Sequence, residues 1–216
     1  MVSEAGGEQC MNSRILTIAL ALAVVFSALA LVPRMRATRL PGNHQGFEPV
    51  QPVAFSHRQH SGDLGIQCLY CHSGAERSRY AGIPAASTCM NCHRFVKAKR
   101  ATVRAEEELA KKEGRKPRPV VSPEIRKLED AVKTSTPVRW TRIHQVPDFV
   151  YFDHRPHVSA GVECQKCHGP VETMERVRQV NSLNMGWCVN CHRGRDGTLL
   201  AGLPVHASTD CTSCHM

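Results

Sequence analysis

Five times the chain repeats Cys-x-x-Cys-His: at Cys68, Cys71 and His72; Cys89, Cys92 and His93; Cys164, Cys167 and His168; Cys188, Cys191 and His192; and Cys211, Cys214 and His215. This spacing suits covalent attachment of haem c. Two thiols one helical turn apart can add across the two vinyl groups of one porphyrin. The residue that follows then lies under the ring, where its imidazole binds the iron as proximal ligand. Zinc and disulfides are the rival uses of paired cysteines. A zinc site needs two pairs per metal and no histidine after each, and a disulfide framework has no reason to repeat one pentad. Ten of the eleven cysteines lie in the motifs, and only Cys10 is left over. The sequence therefore predicts five haem c groups.

An iron that only carries electrons usually holds a protein ligand on each face, which leaves no position for a small molecule. Of the twelve histidines, seven are not in motifs: His44, His57, His60, His144, His154, His157 and His206. Five distal places can thus be filled. The strongest candidates form two doublets, Phe55-Ser56-His57-Arg58-Gln59-His60 before Cys68 and Phe152-Asp153-His154-Arg155-Pro156-His157 before Cys164. An i, i+3 spacing lets two imidazoles on one helix face serve different irons. His144, His206 and Met185 compete for the fifth place. Met185 precedes Cys188 by three residues and adjoins Gly186, which could admit close backbone approach. A flexible core filler is the ordinary role of such a methionine. His44, in a Pro-Gly-Asn-His-Gln-Gly run, is not expected to bind iron.

Composition fits a chain wrapped around cofactors. Aromatic residues make up 5% of 216 residues, few for a core of this size, while there are thirteen prolines and fifteen glycines. Residues 33–216 supply about 37 residues per haem. The expected fold is mostly α and irregular, and largely unfolded without cofactor. The formal charge of +9 would by itself suggest nucleic acid or an acidic surface. Ten haem propionates would take it to about −1, and no basic stripe with interleaved aromatics is present, so no nucleic-acid partner is expected.

The haem sites need a scaffold, which the sequence divides into five parts: a tail at 1–14, a membrane anchor or signal peptide at 15–32, a two-haem segment at 33–96, a charged helical linker at 97–137 and a three-haem segment at 138–216. Ile15 to Val32 is apolar apart from Thr17 and Ser27, and about 27 Å long as a helix. Ala28-Leu29-Ala30 has the form of a cleavage site, but the stretch exceeds a usual signal core, which favours a retained anchor. Arg34, Arg36 and Arg39 after it would, by the positive-inside bias, place the C-terminal part inside. Haem c attachment outside the cytoplasm argues for the opposite orientation and is the stronger constraint. A start at Met11 would remove Glu4 and Glu8 and ease the conflict. Within the linker, Lys97 to Lys133 carries a net +5. Lys97 to Glu113 reads as a helix stopped by Gly114, and Ser122-Pro123-Glu124 as the cap and first turn of another. A solvated linker is the plain expectation for this stretch, and a docking arm the sharper one.

The doublet followed by a haem motif resembles the class III cytochromes c, the family of tetrahaem cytochrome c3 and trihaem c7. In that family the first histidine serves the next haem and the second reaches another. The run Trp140 to His154, Cys164 to Gly169 and Met185-Gly186-Trp187-Cys188 is similar to the pentahaem cytochrome subunits of alternative complex III. That resemblance implies mostly bis-histidine haems with one His/Met, which places Met185 narrowly ahead of His144 for the fifth distal place, with His206 third. It also implies an assembly with an iron–sulfur/molybdopterin-like subunit, quinol-binding membrane subunits and a monohaem cytochrome, on the periplasmic side of the inner membrane. Two other functions are weighed against it. A nitrite-reductase-like enzyme would carry an unusual proximal ligand, whereas all five motifs end in histidine. A stand-alone membrane-anchored quinol dehydrogenase fits the haem count and doublets less well.

Overall fold

The computed structural model describes the backbone of residues 5–37 and 44–215, with side chains described at 15–31 and 44–215. The tail side chains at 1–14, Cys10 included, and the arginines at 34, 36 and 39 lie outside that set. The chain divides into two units, Met1–Pro41 and Gly42–Met216. The first is built on α1 (Ala5–Ala37). Its described side chains, from Ile15 to Leu31, are all exposed. Among the described residues no helix is long and apolar enough to cross a membrane; the expected anchor at 15–32 runs past the described side chains of this helix, which end at Leu31.

The second unit strings short helices between irregular segments: α2 (Cys68–Cys71), α3 (Ala86–His93), α4 (Arg100–Lys112), α5 (Pro123–Lys133), α6 (His154–Ser159), α7 (Cys164–His168) and α8 (Met185–His192), then a two-stranded antiparallel hairpin of β1 (Leu199–Leu200) and β2 (Leu203–Pro204). α2, α7 and α8 begin at or just before a motif, and α3 ends on one. Helices of four or five residues are too short to persist alone, since nucleation costs more than one turn returns. The buried apolar residues are few: Val53, Ala75, Ala110, Ile125, Leu128, Met174 and Val205. Large apolar side chains around the motifs, such as Leu64, Tyr70, Ile83, Phe95 and Phe149, are exposed instead. Such a chain has faces for large apolar cofactors and little core of its own.

The linker departs from the plain expectation. α5 starts at Pro123, and the Ser122 hydroxyl accepts from the Glu124 amide, a cap with proline at the first position. It is not merely solvated, however. Its apolar stripe, Ile125 and Leu128, packs with Val53 against Ala86, Cys89 and Met90 of α3 and against Trp140. Lys127 reaches the Pro52 carbonyl at 2.9 Å, and the Ala54 amide donates to Glu124 at 2.6 Å. The helix therefore buttresses the second haem motif. Leu128→Ala should cost about 2–5 kcal/mol, read as a lower unfolding midpoint of the haem-loaded protein. α4 stops before Gly114, whose φ of +64° suits glycine.

Candidate haem sites

The two histidine doublets fold alike, with one instructive difference. Asp153 caps α6 by accepting from the Arg155 amide at 2.9 Å, so His154 and His157 project from consecutive turns. The first doublet opens a π-type turn, Arg58–Asp63, with His57 as its cap residue. Cys68 follows His60 by eight positions, whereas Cys164 follows His157 by seven. The π turn absorbs the extra residue: Ile66 donates to the His60 carbonyl, where Val162 donates to that of His157. Such bulges concentrate at functional sites because they shift register without breaking the helix.

Each doublet histidine faces the imidazole of one motif. His57 lies opposite His72 with ring centres 6.4 Å apart, and His60 opposite His93 at 6.0 Å. His154 lies opposite His168 at 6.4 Å, and His157 opposite His192 at 6.0 Å. Two imidazoles on one iron, each with Fe–N of about 2 Å, place their ring centres about 6 Å apart. All four gaps are that wide, too wide for direct stacking and right for a metal between. In both segments the first doublet member faces the next motif and the second faces the one after it. The residues present fit haem at these four motifs.

Hydrogen bonds set the tautomers. Nδ1 of His72 lies 2.7 Å from the Gly82 carbonyl, that of His93 2.7 Å from Val96 and that of His192 2.6 Å from Ser208. The Nδ1 atoms of His60, His154 and His157 lie 2.6–2.8 Å from the carbonyls of Ser56, Arg79 and Asp153. A carbonyl can only accept, so Nδ1 carries the proton and Nε2 is left bare, the form that binds metal. Burial acts in the same sense, pushing His57 down to about 4 and His168 to about 3, with neighbouring imidazoles adding to both shifts. These rings are neutral, as ligation requires. Desolvation raises the Cys167 thiol to about 11.

The remaining candidates are placed differently. His144 packs edge-on against His168 with ring centres 4.3 Å apart, too close to share an iron with it. Its Nε2 is buried and without a hydrogen-bond partner among the described residues, and burial lowers its pKa to about 4. His206 is exposed beside the buried Val205. Met185 is the first residue of α8 and 64% exposed. A Cβ at Gly186 would meet only the Asn184 side chain, at 3.6 Å, so no close approach there requires glycine. His215 has Phe149 stacked 5.7 Å away, and no histidine ring faces it among the described residues. His44 sits edge-on to Phe47.

The motifs do not follow one another in space as in sequence. Thiols of the first and second motifs interact, Cys71 with Cys92 and Cys89 with Cys71. Cys164 of the third lies beside Cys68 of the first, and a cleft between them is lined by Gln67, Cys68, Leu69, Glu163, Cys164 and Gln165. Cys167 interacts with Cys188 and Cys191, and Cys188 with Cys214. The spatial sequence is second, first, third, fourth, fifth.

Three supporting residues carry no sequence signal. Gln179 is fully buried, donating to the Asn181 carbonyl at 3.0 Å and accepting from the Gln145 amide at 3.3 Å. Asn181 donates to the carbonyls of Lys166 and Cys167 and so clamps the third motif. Arg79 lies over the Tyr151 ring at 4.2 Å while its carbonyl meets His154, which joins the two segments.

Two family descriptions match the chain in separate parts. Residues 33–116 match the class III cytochrome C family, and residues 150–216 match cytochrome c7 and related cytochrome c. These two parts of the chain are thus similar to class III and c7-like multihaem cytochromes c. Multiple c-type haems and an electron-transfer role follow. Among curated proteins it is 32% identical over 118 residues to the menaquinone reductase, multiheme cytochrome c subunit, of Nitratidesulfovibrio vulgaris (strain Hildenborough). The match takes in 55% of this cytochrome and 45% of the relative, so it spans under half the relative's length.

Proposed function

We propose that this cytochrome is the five-haem electron-transfer subunit of a membrane-bound quinol:acceptor oxidoreductase of the alternative complex III kind. Its N-terminal helix would anchor it, with the haem-bearing part on the periplasmic side. The observation that carries the proposal is the set of four imidazole pairs about 6 Å apart. Bound haem supplies reversible one-electron exchange at iron without bond making. The chain's residues do the rest. His72, His93, His168 and His192 hold proximal faces and His57, His60, His154 and His157 the distal ones, leaving four irons without an open position. His215 serves the fifth motif, with Met185 favoured over His144 across from it; α8, which carries Met185, adjoins that motif through Cys188 and Cys214. Close succession of the motifs suits transfer from end to end.

The relative's name supports quinone chemistry nearby, while the partners follow from the sequence resemblance: an iron–sulfur/molybdopterin-like subunit, quinol-binding membrane subunits and a monohaem cytochrome. A second reading, with electrons delivered to menaquinone, is favoured by similarity to a menaquinone reductase subunit. Purification from native membranes separates these readings. A large co-purifying assembly that oxidises quinol and reduces a soluble acceptor is expected. An assembly that only reduces menaquinone supports the second reading, and a lone chain active with quinol overturns both.

A further inference from the structure

The four imidazole pairs fall into two kinds, and the kind follows position within the doublet. First members pair with nearly parallel planes: 5° for His57 with His72 and 6° for His154 with His168. Second members pair with crossed planes: 61° for His60 with His93 and 39° for His157 with His192. Hydrogen bonding divides them identically. In the crossed pairs both Nδ1 atoms meet backbone carbonyls, Ser56 and Val96 in one, Asp153 and Ser208 in the other. In the parallel pairs only one does. His72 meets Gly82, but His57 Nδ1 is buried with no partner; His154 meets Arg79, but His168 has no such bond among the described residues.

The local chain explains the second members. They sit four residues after Ser56 or Asp153, within reach of a carbonyl at the start of their own turn. First members have no such carbonyl in their own turn: His57 is left without one, and His154 takes that of Arg79 from the other segment, its pair being one bond short at His168 instead.

We infer that these backbone carbonyls sort four irons into two electronic classes: a higher-potential pair at the first and third motifs and a lower-potential pair at the second and fourth. The inference rests on the ligand pairing proposed above. An Nδ1–H bonded to a carbonyl makes its imidazole the stronger donor and favours ferric iron. Crossed pairs have two such ligands and parallel pairs one. Plane angle adds an independent signature. Parallel imidazoles donate into the same iron d orbital and split the near-degenerate pair, giving a rhombic low-spin signal. Crossed imidazoles donate into both orbitals and leave them nearly equal, giving a strongly anisotropic signal.

The two classes are nested in space. In the order second, first, third, fourth, the two higher-potential sites are inner neighbours, flanked by the lower-potential ones. Among these four, an electron entering at either flank would favour the inner pair.

The test is electron paramagnetic resonance of the oxidised, haem-loaded full chain during a redox titration, which needs no variant. Two rhombic and two more anisotropic bis-histidine signals are expected, the His60/His93 pair being the most anisotropic, with the anisotropic signals lost at lower potential. Four signals of one kind, or the reverse order of loss, would overturn the inference. His57→Met should remove one rhombic signal and His60→Met one anisotropic signal. A swap of those outcomes defeats the two classes while leaving the ligand pairing intact. If neither variant alters any bis-histidine signal, the pairing itself fails and the inference with it.

Discussion

Replacing Cys71 and His72 together collapses the first haem segment rather than deleting one absorbance. α2 is four residues long, and residues 55–84 contain only Ala75 as a buried apolar side chain. The second motif is better supported, because α5 covers α3 with Ile125 and Leu128. Limited proteolysis of the Cys71→Ala/His72→Ala variant should therefore show new cuts between His57 and Pro84, with the fragment bearing α3 and α5 surviving longer. The third motif should loosen too, since Cys164 rests against Cys68. A compact digestion pattern like that of the unaltered protein would show that the polypeptide carries its own core there.

That contrast bears on how much of the molecule its sequence discloses. Attachment cysteines and proximal histidines are legible because one cofactor demands five contiguous residues. The doublets are legible because they are local and repeated. The capped start of α5 is legible for the same reason: Ser122 and Pro123 act within one turn. What α5 covers is not legible, since six charged residues in eleven suggest solvent while two apolar residues decide the packing. Spatial order is also hidden. Cys68 meets Cys164 across ninety-six positions, and nothing in either pentad encodes that meeting. Gln179 and Asn181 look like surface amides until their carbonyl partners are known. The expectation that Gly186 clears a path for a porphyrin has no counterpart in the geometry, where that glycine is uncrowded.

The fifth iron should be the odd one, with a potential well above the others. His215 faces no imidazole among the described residues, whereas the other four proximal histidines each do. His144 is engaged beside His168. His206 and Met185 are both exposed, and Met185 is favoured because its helix carries Cys188, which adjoins Cys214. A thioether is a weaker donor than imidazole, so it stabilises ferrous iron and raises the potential. The haem-loaded protein should then show one thioether–iron absorption band in the far red, belonging to the most oxidising haem. Met185→His should abolish that band and lower that potential by on the order of a few hundred millivolts, within the ~0.8 V that axial ligands span. His144→Ala should leave the band untouched. If the unaltered protein has no such band and His144→Ala yields a five-coordinate haem, the ligand is His144, and its unpartnered Nε2 has found its use in an arrangement where His144 has left His168.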